Sequence, residues 1–146
     1  MLDDHRLNYV RRLDYLTNEM NAIYHQSSLR LGISDSVSMV LYTIYDKGAD
    51  CLLSDVYKNS GISKQTVNSA IRHLEADGVL YLEPYKGRSK RIVLTEKGEA
   101  LLQNTAARLF EAELRAFDGW TEEELRTHIG LLEKYLTALR REVERL

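Results

Sequence analysis

Gly61-Ile62-Ser63-Lys64-Gln65-Thr66-Val67-Asn68-Ser69-Ala70-Ile71-Arg72-His73-Leu74-Glu75-Ala76-Asp77-Gly78 is the stretch that decides the fold. Ser63 is placed to cap a helix, because a serine oxygen can accept from a first-turn N–H that has no helical partner. Val67, Ala70, Ile71 and Leu74 then recur at the i, i+3, i+4, i+7 spacing of one buried face. Ile62 and Val67 are spaced as a hydrophobic staple, and Gly78 supplies a left-handed stop. The opposite face carries Gln65, Ser69 and Arg72, flanked by Asn68 and His73.

The pattern changes after Gly78. Val79-Leu80-Tyr81-Leu82 and Arg91-Ile92-Val93-Leu94 are short β-prone runs. They flank Glu83-Pro84-Tyr85-Lys86-Gly87-Arg88-Ser89-Lys90, which holds the chain's one Pro. This predicts a β-hairpin with a basic tip. Upstream, the segment from about His5 to Leu31 has no breaker until Gly32, and Leu13, Leu16, Met20, Ile23 and Tyr24 fall at helical spacing. Ser34 caps a second predicted helix, with Val37, Val40, Leu41 and Ile44 on one face and Gly48 as its stop. A short third helix fits Leu52 to Asn59. Downstream, Thr95 caps a helix expected to run to about Phe117.

The last helix starts at Thr121-Glu122-Glu123-Glu124, a capping box with acids where the helix dipole favours them. Leu125, Ile129, Leu132, Leu136, Leu139, Val143 and Leu146 alternate four and three residues apart, an a/d seam that needs a second helix. That partner is either within the chain or on a second copy, and the long first helix, which also needs a partner, favours the second copy. The fold class is therefore mainly α with a small β-hairpin wing: a winged helix-turn-helix core flanked by long dimerisation helices.

With 146 residues, 44% of them hydrophobic, the chain suits one domain with its own core. A formal charge of -2 argues superficially against a nucleic-acid partner. The distribution reverses that inference. Residues 58–97 hold Lys58, Lys64, Arg72, Lys86, Arg88, Lys90, Arg91 and Lys97 against Glu75, Asp77, Glu83 and Glu96, a local +4, and the rest of the chain carries -6. Phosphate attraction follows local density rather than the total. One Cys makes no intrachain disulfide, which fits a reducing compartment. Met1-Leu2-Asp3-Asp4-His5-Arg6 mixes acids and bases before any apolar stretch, unlike a signal peptide, and no apolar run approaches membrane-helix length. Cytoplasmic localisation is the expectation.

In a winged helix the second helix of the turn motif enters the major groove, and the hairpin reaches backbone or minor groove. Ser63, Lys64, Gln65, Thr66, Asn68, Ser69 and Arg72 are the candidate recognition residues, because Arg can take guanine and Asn or Gln adenine bidentately. Lys86, Arg88, Ser89, Lys90 and Arg91 are the candidate wing contacts, in a run from Pro84 to Arg91 without an acid.

These segments resemble the MarR family of bacterial transcription regulators. The residues that carry the resemblance are Gly61 to Asn68, Leu74-Glu75-Ala76-Asp77-Gly78-Val79-Leu80, and Lys90-Arg91-Ile92-Val93-Leu94-Thr95-Glu96-Lys97-Gly98. The Leu-Thr-Glu-Lys-Gly exit from the basic hairpin is the most specific of them. The resemblance spans residues 1–146 and implies a winged core over 34–98, with dimerisation helices over 1–33 and 99–146. It implies a homodimer whose first and last two helices interlock and present two recognition helices to a pseudo-palindromic operator in double-stranded DNA. Leu125, Ile129, Leu132, Leu136, Leu139 and Val143 are the dimerisation candidates. It also implies a small-molecule effector, with Tyr15, Tyr24, Tyr42 and Tyr45 as candidate lining. One departure stands out. The family often has an acid two positions before the wing arginine, where this chain has Lys86, so the ion pair that commonly steadies the wing is expected to be missing beside Arg88.

Catalytic and metal signatures do not appear in the sequence. The histidines at 5, 25, 73 and 128 lack zinc-site spacing, and no phosphate loop or nucleophile elbow occurs. No cofactor, metal, membrane partner or enzymatic activity is expected. Cys51 reads as a half-buried packing residue, since relatives that sense peroxide carry the reactive thiol in the first helix. The opposing function is a protein-interaction module. It would place aromatic anchors on the exposed surface, where the hairpin loop has only Tyr85.

Overall fold

The computed structural model describes residues 4–146; Met1 to Asp3, the start of the segment 1–33 expected to take part in dimerisation, lie outside that range. Helices α1 (Asp4–Leu31), α2 (Asp35–Lys47), α3 (Leu53–Asn59) and α4 (Lys64–Ala76) precede a hairpin of β1 (Leu80–Pro84) and β2 (Lys90–Leu94). Helices α5 (Glu96–Asn104), α6 (Ala106–Ala116) and α7 (Glu122–Val143) follow. A single 3-10 turn, Gly48–Asp50, joins α2 to the approach to α3. The chain resolves into two compact units that meet between Phe110 and Glu111, inside α6.

In the first unit, local chemistry sets each boundary. Ser34 Oγ accepts from Val37 N at 3.2 Å and Ser63 Oγ from Thr66 N at 3.1 Å, capping α2 and α4. Thr95 Oγ1 accepts from Gly98 N at 3.1 Å at the head of α5. Gly48 and Gly78 close α2 and α4 at φ +74° and +72°. Val37, Val40, Leu41 and Ile44 of α2 and Val67, Ala70, Ile71 and Leu74 of α4 are all buried, with Val56 of α3 and Ile92 of β2 completing the core. The apolar positions of α1 stand in contrast, for Leu16, Met20, Ile23 and Tyr24 are exposed.

The strands pair antiparallel with Leu80 opposite Leu94 and Pro84 opposite Lys90. The hairpin loop is therefore shorter than the sequence suggests, and Pro84 sits at the end of a strand. A third segment joins the sheet, since Ile92 N donates to Cys51 O at 2.9 Å and Leu52 bridges Arg91. Cys51 is fully buried by this arrangement, where the sequence suggested a half-buried residue.

The single helix expected from Thr95 to about Phe117 is two. The break falls at Thr105, which is buried and has φ -126° and ψ -86°. Its hydroxyl donates to Leu101 O at 2.7 Å, occupying the carbonyl that the helical ladder would use. Such back-bonding bends helices.

The second unit contains the end of α6 and all of α7. Thr121 and Glu124 form the expected capping box, at 3.0 and 3.1 Å. Trp120 lies edge-on to Phe117 and to His128, with ring centroids 5.0 and 5.5 Å apart. Along α7 no residue is buried, and Ile129, Leu132, Leu136, Leu139 and Val143 are all exposed. Among the described residues no helix is long and apolar enough to cross a membrane.

Candidate nucleic-acid interface

α4 presents its polar face because its apolar stripe is committed to the core. Gln65, Ser69 and Arg72 are exposed in a row along that face. Ser63 and Thr66 are partly occupied with each other, their hydroxyls 2.7 Å apart at the cap. The flank nearer α3 is held by Tyr57. Its ring lies 5.0 Å from the Lys64 ammonium, and its hydroxyl donates to Asn68 Oδ1. His73 pairs with Asp77 at 3.2 Å at the far end of α4.

In the wing, Tyr85 N donates to Ser89 O and Ser89 N to Lys86 O, each at 3.0 Å. Gly87 has φ +59°, and among the described residues no non-glycine residue has a positive φ. That is the pattern of a type II′ turn, whose twist suits a hairpin and whose first central residue favours Gly. The turn leaves Lys86, Arg88 and Lys90 exposed, with Ser89 half-buried between them.

Arg91 faces elsewhere. It lies directly opposite Glu83 in the register, and its Nε donates to Glu83 Oε1 at 2.6 Å while Nη2 also meets that carboxylate. Asp50 stands 3.8 Å from Nη1. An ion pair thus does steady the wing, from its root rather than from position 86. Register carried the signal, because opposite charges facing each other across a hairpin attract.

The wing exit, marked in the sequence only by resemblance, holds the end of α4. Thr95 Oγ1 donates to Gly78 O at 2.6 Å, with Val79 O at 3.0 Å, and Lys97 Nζ donates to Asp77 O at 2.6 Å. These bonds satisfy carbonyls that the helix end leaves open. They tie α4 to the strand that leaves the wing.

The four candidate effector tyrosines are not gathered into one visible pocket. Tyr42 and Tyr45 pack on Phe110, with centroids 5.7 and 5.5 Å away. Tyr15 donates to Glu19 at 3.2 Å and lies under Arg12, both on α1. Tyr24 is exposed on the same helix. A cleft of about 340 Å³ opens between α2, β2 and α5, bordered by Ile44, Tyr45, Ile92, Glu99 and Leu102. Of the four tyrosines, Tyr45 borders it.

The histidines engage near neighbours. His5 meets Tyr9 edge-on, His25 lies 2.7 Å from Asp35, and His128 meets Trp120 edge-on. Among the described residues no group of three or more His, Cys, Asp or Glu could hold a metal ion. Burial pushes the Cys51 thiol up to about 11, with the Asp55 carboxylate adding to the shift, so it resists forming the nucleophilic thiolate.

A family model described as MarR family matches residues 31–89. The matched segment runs from the end of α1 to the wing tip and contains every candidate recognition residue. Solved MarR-type structures share the fold over most of the chain. S. aureus MepR in its DNA-binding conformation has a TM-score of 0.73 at 24% identity, covering 90% of this chain and 98% of that one. The S. aureus MepR–DNA complex gives 0.64 at 24% identity, over 90% and 96%. BpsR of Bordetella bronchiseptica, whose DNA binding is regulated by 6-hydroxynicotinic acid, gives 0.63 at 23%, over 85% and 98%. No curated protein sequence matches the chain significantly.

Proposed function

We propose that this chain is a dimeric, sequence-specific transcription regulator of the cytoplasm, acting as a repressor that occludes its promoter and carrying no catalytic activity. The observation that carries the reading is the pairing of two exposed surfaces. One is the polar face of α4 at Gln65, Ser69 and Arg72, and the other is the acid-free turn at Lys86, Arg88 and Lys90. The MarR match over 31–89 and the MepR–DNA complex among similar folds support it. α4 would enter the major groove and the wing the backbone or minor groove of each half-site.

Arg91 leaves the contact set, because Glu83 already neutralises it. Self-association would bury the apolar residues that α7 exposes, and α1 carries a comparable exposed set. A small-molecule effector is part of the reading, and the cleft beside Tyr45 is the candidate entry for one.

The test is a titration against DNA upstream of the protein's own gene at several salt concentrations. Tight binding should weaken steeply with salt, and Arg72→Ala and Arg88→Ala should each weaken it. Parent-like binding by both variants would overturn the assignment. Weak binding that ignores salt would favour a winged helix that docks another protein.

A further inference from the structure

We infer that Tyr57 is a positioning residue for DNA recognition, one that orders the Asn68 side chain before DNA arrives. The inference rests on the major-groove reading of α4.

Ser63, Lys64, Gln65, Thr66, Ser69 and Arg72 are exposed, whereas Asn68 is half-buried. An asparagine amide on a helix surface is ordinarily loose, because the torsion that carries it is broad and roughly two-fold. Half a turn about that torsion exchanges the accepting oxygen for the donating nitrogen. A loose Asn68 would therefore meet a base only after losing this freedom, and could present either polarity. Tyr57 removes the freedom in advance. It packs against the buried core from α3, and its hydroxyl donates to Asn68 Oδ1.

A second contact sets the polarity of that bond. Lys64 holds its ammonium 5.0 Å from the Tyr57 ring centroid. A cation over the ring draws density from the phenol, which makes the hydroxyl a better donor and a poorer acceptor. The amide is thereby favoured with its oxygen, not its nitrogen, toward Tyr57. Lys64 and Asn68 lie four residues apart, so both fall on the helix flank that one α3 side chain can reach.

The bond leaves Asn68 equipped for a base. Oδ1 keeps a second lone pair and Nδ2 keeps both N–H groups, so the amide can still accept and donate together at a base edge. What Tyr57 takes away is the cost of ordering it. Immobilising one such side chain at an interface weakens binding by a factor of roughly two to ten. That factor acts only where Asn68 makes its contact. It sharpens the preference at one base position and leaves the others alone.

Selection of bound sequences from a random DNA pool tests this with the parent, Asn68→Ala, Tyr57→Phe and the double variant. Tyr57→Phe keeps the ring under Lys64 and removes only the hydroxyl. Asn68→Ala should make one position of each half-site indifferent. Tyr57→Phe should lower the preference at that same position by roughly two- to tenfold, and should change nothing further once Asn68 is Ala. Because each ratio is measured within one pool, it does not depend on the fraction of protein that is folded. In the DNA-free protein, nitrogen relaxation of the Asn68 side-chain amide should report an ordered group in the parent and a mobile one in Tyr57→Phe. Uniformly weaker binding by Tyr57→Phe with parental preferences would assign Tyr57 to packing alone and overturn the inference. So would a mobile amide in the parent, or an Asn68→Ala variant with parental preferences at every position. A parent with an ordered amide that enriches no sequence would instead overturn the regulator reading, and the recognition role of Tyr57 with it.

Discussion

Gly98 and Val79 touch more closely than side chains allow: a β-carbon on Gly98 would stand 2.0 Å from the Val79 carbonyl oxygen and 3.2 Å from Leu94 Cδ2. The contact packs the first turn of α5 against the turn between α4 and β1, where Thr95 and Lys97 also bind. Backbone meets backbone here, so no flexible side chain can give way. Gly98→Ala should destabilise the fold by about 1–3 kcal/mol or more, as overpacking does. A shift in the urea midpoint without a change in slope would register it.

Thr95→Val removes the hydroxyl that bonds Gly78 O and caps α5 while keeping the shape. Losing a cap costs roughly 0.5–2 kcal/mol. Parental stability in urea would show that the hydroxyl does not fasten the wing exit to α4.

Arg88 and Arg91 should differ in salt dependence despite equal charge. Each phosphate contact contributes about 0.9 to the slope of log affinity against log salt. Arg88→Ala should lower that slope, by roughly 1.8 for a dimer with two wings. The double change Glu83→Gln with Arg91→Gln removes a pair that is already neutral and should leave the slope unchanged. Equal slope losses in both would place Arg91 on phosphate.

Cys51 should behave as a packing group. Its thiol retains its proton in the fold up to about 11, whereas an unfolded thiol loses it from about 9. Between those values the folded state binds more protons, so stability falls as pH rises. Cys51→Ala should lack that decline in urea midpoints. Alkylation of the native parent should wait on unfolding, and peroxide should affect DNA binding of the parent and Cys51→Ser equally.

Asp35 links α2 to α1 through His25, whose Nδ1 lies 2.7 Å from its carboxylate. That hydrogen bond, followed by one from Ser28, holds the Asp35 carboxyl below 3.8. Its contribution is present above 3.8 and is lost as pH falls through the lowered value. In His25→Ala the Asp35 resonance should titrate at higher pH, followed by carboxyl NMR. Both groups are exposed, so the accompanying change in stability should be small.

Leu132→Glu with Leu136→Glu puts charge in the α7 seam while keeping a helix-compatible side chain. Sedimentation should show a parent dimer and a monomeric variant of unchanged helix content, with weaker operator binding. A dimeric variant would place the self-association surface elsewhere.

The sequence by itself determined the helix starts, because Ser34, Ser63, Thr95 and Thr121 bond to N–H groups three residues away and need no distant partner. It likewise determined the buried faces of α2 and α4, whose apolar spacing allows a single inward orientation. Tertiary structure decided what depends on distant neighbours. Thr105 breaks a helix without Gly or Pro, because burial turns its hydroxyl onto Leu101 O. Arg91 turns to the wing root because register sets it against Glu83, and Asn68 is held because Tyr57 reaches it from another helix. A side chain's capacity to bond is written in its residue type. Which of its atoms remain free for a partner is fixed only when the fold brings competing groups within hydrogen-bond distance.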